Sequence, residues 1–138
     1  MKKLFIDTNI VLDLLAKREP FYESSAKLFS LADRNVIQLS VSSLTFANTN
    51  YVLSKLKSTS EAKEILRKFK LLVHIVSLSE KIVDLALNNS AFKDFEDGLQ
   101  YYSAIESNQD IIITRNQKDF KSSLLSIMSA EEFLSSLS

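Results

Sequence analysis

The side chains of this sequence that are best placed for chemistry are acids, amides and hydroxyls at the ends of predicted strands. Asp7 directly follows a short apolar run, with Thr8 and Asn9 after it, and the segment 114–116 (TRN) follows another. In an open parallel sheet, ligands bind in the crevice outside the carboxyl ends of the strands. Position alone leaves two interpretations of Asp7 open, because the carboxylate could bind a ligand or cap the helix that follows it.

A second acid, Asp97, lies within a helix that we expect to begin at Asp94 as its N-cap. On a helical wheel Asp97 shares a face with Tyr101 and Ala104, so we predict a partly buried carboxylate. Such a carboxylate needs a cation or several donors, because leaving it unpaired costs several kcal/mol. Gly98 predicts a close approach of another element, since a glycine inside a helix costs about 1 kcal/mol relative to alanine.

The composition excludes several classes of site. The chain has 138 residues with no Cys, one His and one Gly, so it has no disulfides, thiolate zinc sites or cysteine nucleophiles, and no glycine-rich phosphate loop. The single histidine, His74, lies among apolar residues of a predicted strand, and we interpret it as structural. Metal chemistry would therefore use oxygen ligands, which favours Mg²⁺ or Mn²⁺ over zinc.

Charge is balanced overall, with 17 basic and 17 acidic residues, but it is unevenly distributed. Residues 55–70 contain six basic and two acidic side chains, whereas residues 71–110 contain seven acidic and two basic ones. Charge alone favours solvated helix faces for both segments. The amino terminus lacks the apolar stretch of a signal peptide, and no apolar run is long enough to span a membrane, so we expect a cytoplasmic protein.

Predicted strands alternate with predicted helices along the whole chain, without an internal repeat or a linker. This pattern predicts a single domain, residues 1–138, built as an α/β sandwich around a mainly parallel sheet. Pro20 is expected in the first turn of the second helix, and Thr59 or Ser60 at the cap of a later one. Phe95 is assigned to the core stripe of the helix that carries Asp97. The strands are expected near residues 3–6, 36–41, 71–78, 110–114 and 124–129.

Four segments together resemble the ordered motifs of PIN domains over nearly the whole chain. They are LFIDTNIVLDLL, VSSLTFANTNYVL, DFEDGLQYYSA and IIITRNQKDF. The similarity is greatest to a bacterial branch that carries D-F-E-D-[AG]-L-Q and T-R-N-x-x-D-F. The resemblance implies a three-layer α/β/α sandwich with four to five strands, and a nuclease that binds Mg²⁺ or Mn²⁺ through clustered carboxylates. Many such proteins are VapC ribonuclease toxins of toxin–antitoxin pairs.

The resemblance also implies roles for particular residues. Asp7 matches the first metal-binding aspartate of the family, and Asp97 matches the aspartate near the start of the late helix. The family's usual glutamate falls on Asn48, and its usual fourth acid falls on Asn116. Asp119 is the preferred replacement for the missing negative charge, since it follows the same predicted strand within one helical turn.

The implied reaction is metal-assisted hydrolysis of an RNA phosphodiester. Asp7 and Asp97 would hold the ion, Asn116 would serve as a neutral ligand, and Asp119 would position the attacking water. Other residues would orient carboxylates or water, or supply part of the missing charge: Thr8, Asn9, Asn48, Asp94, Glu96 and Thr114. Contacts to RNA phosphates are expected from Arg115, Lys63, Arg67 and Lys70.

There are three alternatives to a nuclease. Asn48 and Asn116 favour a PIN fold that no longer cuts and instead serves as a binding or partner module. A haloacid-dehalogenase-type phosphotransferase is disfavoured because Asn9 replaces the second acid of its D-x-D motif, and a receiver domain because it needs an acidic pair after the first strand. For the nuclease, the family implies an RNA substrate, a possible protein antitoxin and a homodimer.

Overall fold

The computed structural model describes residues 1–137, which form five strands and seven helices. The strands are β1 (Lys2–Ile6), β2 (Ile37–Ser42), β3 (His74–Val76), β4 (Ile111–Ile113) and β5 (Ser126–Met128). The helices are α1 (Thr8–Leu15), α2 (Tyr22–Asp33), α3 (Ser43–Leu56), α4 (Thr59–Phe69), α5 (Glu80–Leu87), α6 (Phe95–Glu106) and α7 (Ala130–Ser136). Short 3₁₀ turns cover Lys70–Leu72 and Gln117–Phe120.

All strand pairs in the sheet are parallel, in the order β3-β2-β1-β4-β5. Ile6 at the end of β1 pairs with Ile113 at the end of β4. The Asp7 backbone N–H then donates to the Ile113 carbonyl at 3.0 Å, and the Thr114 N–H donates to the Met128 carbonyl at the same distance. The residues that leave β1 and β4 are therefore side by side at the carboxyl edge of the sheet.

Alternating side chains of the central strands fill two cores on opposite faces of the sheet. Leu4 and Ile6 belong to the core that packs against α1, α2 and α7, whereas Phe5 belongs to the core that contains Tyr101 and Ala104 of α6. Strand β4 alternates in the same way. The sheet is thus covered on both sides, which confirms the three-layer α/β/α sandwich and explains the nearly continuous apolar runs of its central strands.

Helices α5 and α6 approach each other closely at Gly98, as its place inside a helix predicted. A Cβ atom built on Gly98 would lie 3.3 Å from the Cβ of Ala86. Leu99 and Ala86 are buried in the small core between these helices. The predicted core stripe of α6 is wrong at Phe95, which is 42% exposed because it occupies the first position of the helix, beyond the edge of that core.

Three local predictions differ from the structure. The Ser58 side chain caps α4 by accepting from the Glu61 N–H at 3.2 Å, whereas the cap was predicted at Thr59 or Ser60. Pro20 precedes α2 and does not lie in its first turn. His74 is exposed because β3 is a three-residue strand at the edge of the sheet, so it is not a core histidine.

No helix formed by residues 1–137 has both the length and the apolar character needed to cross a membrane.

Candidate active site

Asp7 lies where β1 ends and α1 begins, and it is 8% exposed. Its Oδ1 accepts the Thr8 N–H at 2.8 Å, so the side chain does cap the helix. Capping uses only part of the carboxylate, because its Oδ2 accepts the Thr114 hydroxyl at 2.8 Å and faces Asn9 Nδ2 at 3.4 Å. The two interpretations of Asp7 are thus compatible, since the same carboxylate starts a helix and lies at the edge where ligands bind.

A fourth donor to Asp7 comes from α6 and was missed by the sequence analysis. Gln100 Nε2 lies 3.2 Å from Asp7 Oδ1 and 3.2 Å from Thr45 Oγ1. The Thr45 hydroxyl in turn is 2.9 Å from that of Thr8. A buried polar network therefore joins β1, α1, α3 and α6 around one carboxylate. One signal was available in the sequence, since the D-F-E-D-[AG]-L-Q motif ends on this glutamine.

Asp97 lies in the first turn of α6 and is half-buried. Asp94 caps this helix, as predicted, by accepting the Glu96 N–H at 2.9 Å. The pKa of Asp97 is raised to about 7, first by burial and then by the negative charges of four neighbouring acids in decreasing order: Asp94, Asp119, Asp7 and Glu96. Asp7 and Asp119 are distant from Asp97 in sequence, so the fold brings them close enough in space to oppose its ionisation.

A cavity of about 330 Å³ opens beside these acids. Asp94, Asp97 and Asp119 line it together with three lysines and Ala91. The lysines are Lys93, Lys118 and Lys121, all of which are exposed. We call this set the lysine rim. It could not be predicted from the sequence, because Lys93 lies in the acidic segment 71–110 and the other two lysines follow it in a segment without a marked charge pattern. A cavity lined by both acids and lysines fits a cation and a polyanion together.

The donor set at this edge fits a hard divalent cation. Carboxylate, amide and hydroxyl oxygens are the ligands that Mg²⁺ and Mn²⁺ use. The pKa of Asp97 is raised first by burial and then by like charges, which a cation would neutralise. Within residues 1–137, however, no three His, Asp or Glu side chains are grouped so that they could hold a metal ion together. An ion here would accordingly be held by two carboxylates, with neutral ligands or water completing its coordination.

The two asparagines at expected acid positions are both at this edge. Asn48, on α3, donates from Nδ2 to Glu96 Oε1 at 3.2 Å, which places a carboxylate from α6 beside it. Asn116 is exposed just after β4, and its backbone N–H donates to Thr114 Oγ1 at 3.0 Å. The Asn116 carbonyl accepts the Asp119 N–H at 3.0 Å, so the turn that holds Asn116 also positions Asp119.

Arg115 is paired inside the protein. Its Nε and Nη2 donate to the Asp13 carboxylate at 2.8 and 3.1 Å, and its guanidinium lies 4.0 Å from the centre of the Phe21 ring. Asp13 is fully buried in α1 and was not singled out in the sequence. The Arg115 side chain is partly exposed, and its contact with RNA stays a prediction.

The predicted basic residues of α4 and of the turn that follows it lie on another part of the surface. Lys63, Arg67 and Lys70 are exposed and line a shallow groove with Phe46 and Asn50 of α3. The Arg67 guanidinium pairs with Glu64 at 2.8 Å. None of these cations lines the cavity that contains Asp97, so their contact with RNA stays a prediction.

Comparison with known proteins places these observations in a family. Residues 3–118 match the model of the PIN domain. The sequence is 30% identical over 135 residues to Ribonuclease VapC1 from Aquifex aeolicus (strain VF5), which spans 96% of this chain and 93% of that protein. The fold is similar to VapBC2 from Rickettsia felis bound to a DNA fragment from their promoter, with a TM-score of 0.66, 23% identity, and coverage of 92% of this chain and 97% of that one. It is also similar to a toxin–antitoxin complex from Klebsiella pneumoniae, with a TM-score of 0.70, 19% identity and the same coverage. The chain belongs to the PIN domain family.

Proposed function

We propose that this protein is a ribonuclease that depends on Mg²⁺ or Mn²⁺ and serves as the toxin of a VapBC-type toxin–antitoxin pair. The observation that carries the proposal is the convergence of acids on Asp97, a carboxylate whose pKa is raised to about 7 by its burial and by these neighbours. The match to the PIN domain and the similarity to a protein named Ribonuclease VapC1 support a nuclease. The similar solved structures include VapBC complexes, which supports a protein antitoxin as partner.

In this proposal Asp7 and Asp97 hold the ion, and Asn116 contributes a neutral oxygen. When bound, a divalent ion polarises the phosphate and lowers the pKa of a coordinated water. Thr114 and Gln100 fix the carboxylate of Asp7 from opposite sides through the bonds described above. Asp119 lines the same cavity as Asp97 and would orient the attacking water.

The lysine rim supplies the RNA contacts in this proposal. Lys93, Lys118 and Lys121 line the cavity together with Asp97. They would bind phosphates of an RNA whose scissile bond lies beside the acids. Lysine is suited to this role because its ammonium binds phosphate as a flexible point charge. The groove lined by Lys63, Arg67 and Lys70 would extend the contact along α4. A homodimer remains a further expectation from the family.

The proposal is tested by replacing the two acids without changing their shape. Asp7→Asn and Asp97→Asn should each abolish Mn²⁺-dependent cleavage of RNA, while circular dichroism shows that the variants are folded. Asp84→Asn is the matched control, because Asp84 is an exposed acid on α5. Undiminished cleavage by either active-site variant would rule out this site. Wild-type protein that neither binds Mn²⁺ by calorimetry nor cleaves RNA would support an inert binding module instead.

A further inference from the structure

We propose that Gln100 is a positioning residue that sets the metal affinity of this site by holding Asp7 in register with Asp97. This inference rests on the proposed function and assigns one residue a part in it. Gln100 is 3% exposed and lies one turn after Asp97 on the same helix. Its side chain reaches from α6 to the end of β1, so it links the elements that carry the two acids.

The orientation of the Gln100 amide follows from its neighbours. Nε2 lies 3.2 Å from Asp7 Oδ1, and an ionised carboxylate can only accept hydrogen bonds. A flipped amide would bring Oε1 against that oxygen, so the NH₂ group must face Asp7. Nε2 also lies 3.2 Å from Thr45 Oγ1 and 3.5 Å from Thr8 Oγ1. The donor is thereby anchored to α3 and α1 as well as to Asp7.

This anchoring opposes the electrostatics of the site. The carboxylates of Asp7 and Asp97 repel each other when both are ionised and no cation is bound. A neutral donor on α6 that binds Asp7 counters this repulsion without adding a positive charge that would compete with a metal ion. Gln100 therefore holds the Asp7 carboxylate in a fixed position relative to α6, the helix that carries Asp97. This reduces the reorganisation needed when the ion binds.

The carbonyl oxygen of the Gln100 amide distinguishes a role in positioning Asp7 from a role in packing alone. Gln100 Oε1 is buried and has no hydrogen-bond partner within residues 1–137. Methionine at this position would remove the unpaired acceptor together with the donor, and Asp7 would keep its hydrogen bonds from Thr8 and Thr114, so the fold should lose little. The position thus predicts a division: removing the amide should harm metal binding much more than it harms folding.

The test compares Gln100→Met with Gln109→Met. Methionine keeps the length of the side chain and removes its donors. Gln109 is a matched control because it is also buried, at 5% exposure, and also has an unpartnered Oε1, while its Nε2 bonds Ser107 instead of Asp7. Mn²⁺ binding is measured by calorimetry, and thermal unfolding is measured in EDTA.

Gln100→Met should bind Mn²⁺ about 10–100-fold more weakly than wild type, the range found when groups that orient metal ligands are removed. Its melting temperature without metal should match that of Gln109→Met, whose Mn²⁺ affinity should be unchanged. If Gln100→Met does not fold, Thr45→Val removes one anchor of the amide with little change in shape, and a smaller loss of Mn²⁺ affinity is expected.

Two results separate failure of this inference from failure of the proposed function. Wild-type affinity for Mn²⁺ in Gln100→Met, or in Thr45→Val where the first variant is unfolded, overturns the role of Gln100 and leaves the nuclease proposal intact. Absence of Mn²⁺ binding by the wild-type protein overturns both.

Discussion

The guanidinium of Arg115 is bound to the buried carboxylate of Asp13, with 2.8 Å between Nε and Oδ2. Arg115 follows β4 directly and precedes Asn116, whereas Asp13 lies on α1. The ion pair therefore ties the turn after β4 to the helix after β1. It holds together the two segments that supply Asp7 and Asn116, so its contribution to the site is mechanical.

Removing Arg115 should destabilise the protein, because the buried carboxylate of Asp13 is then left without a partner. We expect Arg115→Met to lower the free energy of unfolding by about 3–5 kcal/mol, since Asp13 is left without its partner in the interior. Adding Asp13→Leu to this variant should restore most of the loss, because an apolar pair can replace a buried ion pair at little cost. Urea unfolding of the single and double variants measures both effects. Equal stabilities of Arg115→Met and wild type would mean that Asp13 is hydrated.

The raised pKa of Asp97 predicts a pH dependence of stability in the metal-free protein. An unfolded chain loses this proton near the ordinary value of 3.8, whereas the folded protein keeps it until about pH 7. The native state binds more protons within this window, so the contribution of Asp97 to stability falls as pH rises through it. Asp97→Asn should melt higher than wild type in EDTA at pH 8, and the difference should shrink towards pH 4.

Thermal unfolding across this pH range provides the measurement, with Asp84→Asn as the control at an exposed acid of α5. Mn²⁺ should raise the melting temperature of wild type at pH 8 and leave Asp97→Asn unchanged. A variant that melts below wild type at every pH would show that the Asp97 carboxylate stabilises the metal-free fold.

The salt dependence of RNA binding shows whether RNA contacts the lysine rim or the groove lined by Lys63, Arg67 and Lys70. Each phosphate contact to a single strand contributes about 0.7 to the slope of log K against log salt. Changing Lys93, Lys118 and Lys121 together to Gln should reduce that slope by about 2. Binding is measured by fluorescence anisotropy with Ca²⁺ in place of Mn²⁺.

Two comparisons complete this experiment. Lys2→Gln is the control, because Lys2 lies at the amino end of β1, whereas the candidate site lies beyond the carboxyl ends of the strands. Changing Lys63, Arg67 and Lys70 to Gln tests the contacts predicted from sequence. If the slope falls only when Lys63, Arg67 and Lys70 are changed, then RNA binds along α4 and not at the lysine rim.

Much of the fold was predictable because it follows from local patterns. The run before Asp7 and the run 111–113 are short and apolar, which is typical of buried parallel strands, and both strands are at the centre of the sheet. Because Asp7 and Thr114 follow the carboxyl ends of these strands, they are predicted to lie at the same edge of the sheet, where ligands bind. The hydroxyl of Thr114 indeed lies 2.8 Å from the Asp7 carboxylate.

The misses share a different cause, since each depends on contacts between distant segments. Gln100 contacts a residue 93 positions away, and Arg115 one that is 102 positions away, so no local period could reveal either pair. His74 has apolar neighbours in sequence, yet its strand lies at the edge of the sheet, where burial ends. Counting charges along the sequence could not reveal the lysine rim either, because its members come together only when the turn after β4 packs against α6.

The contact between α5 and α6 at Gly98 predicts how the site responds to a larger side chain. A Cβ at this position already lies 3.3 Å from the Ala86 Cβ, so the branched side chain of valine cannot fit unless the helices separate. We expect Gly98→Val to lower the free energy of unfolding by about 1–3 kcal/mol, the usual range for overpacking. Because Asp97 is the preceding residue, Mn²⁺ affinity should fall as well.

A double variant tests whether the close approach of the helices is the cause. Gly98→Ala combined with Ala86→Gly moves the methyl group from α5 to α6 and keeps the number of atoms in the contact. The alanine should favour α6 by about as much as the glycine disfavours α5, so we expect stability and Mn²⁺ affinity near those of wild type. Urea unfolding and Mn²⁺ calorimetry measure both quantities. If the exchange is as harmful as Gly98→Val, then Gly98 is needed for its own backbone and not for the room it leaves to Ala86.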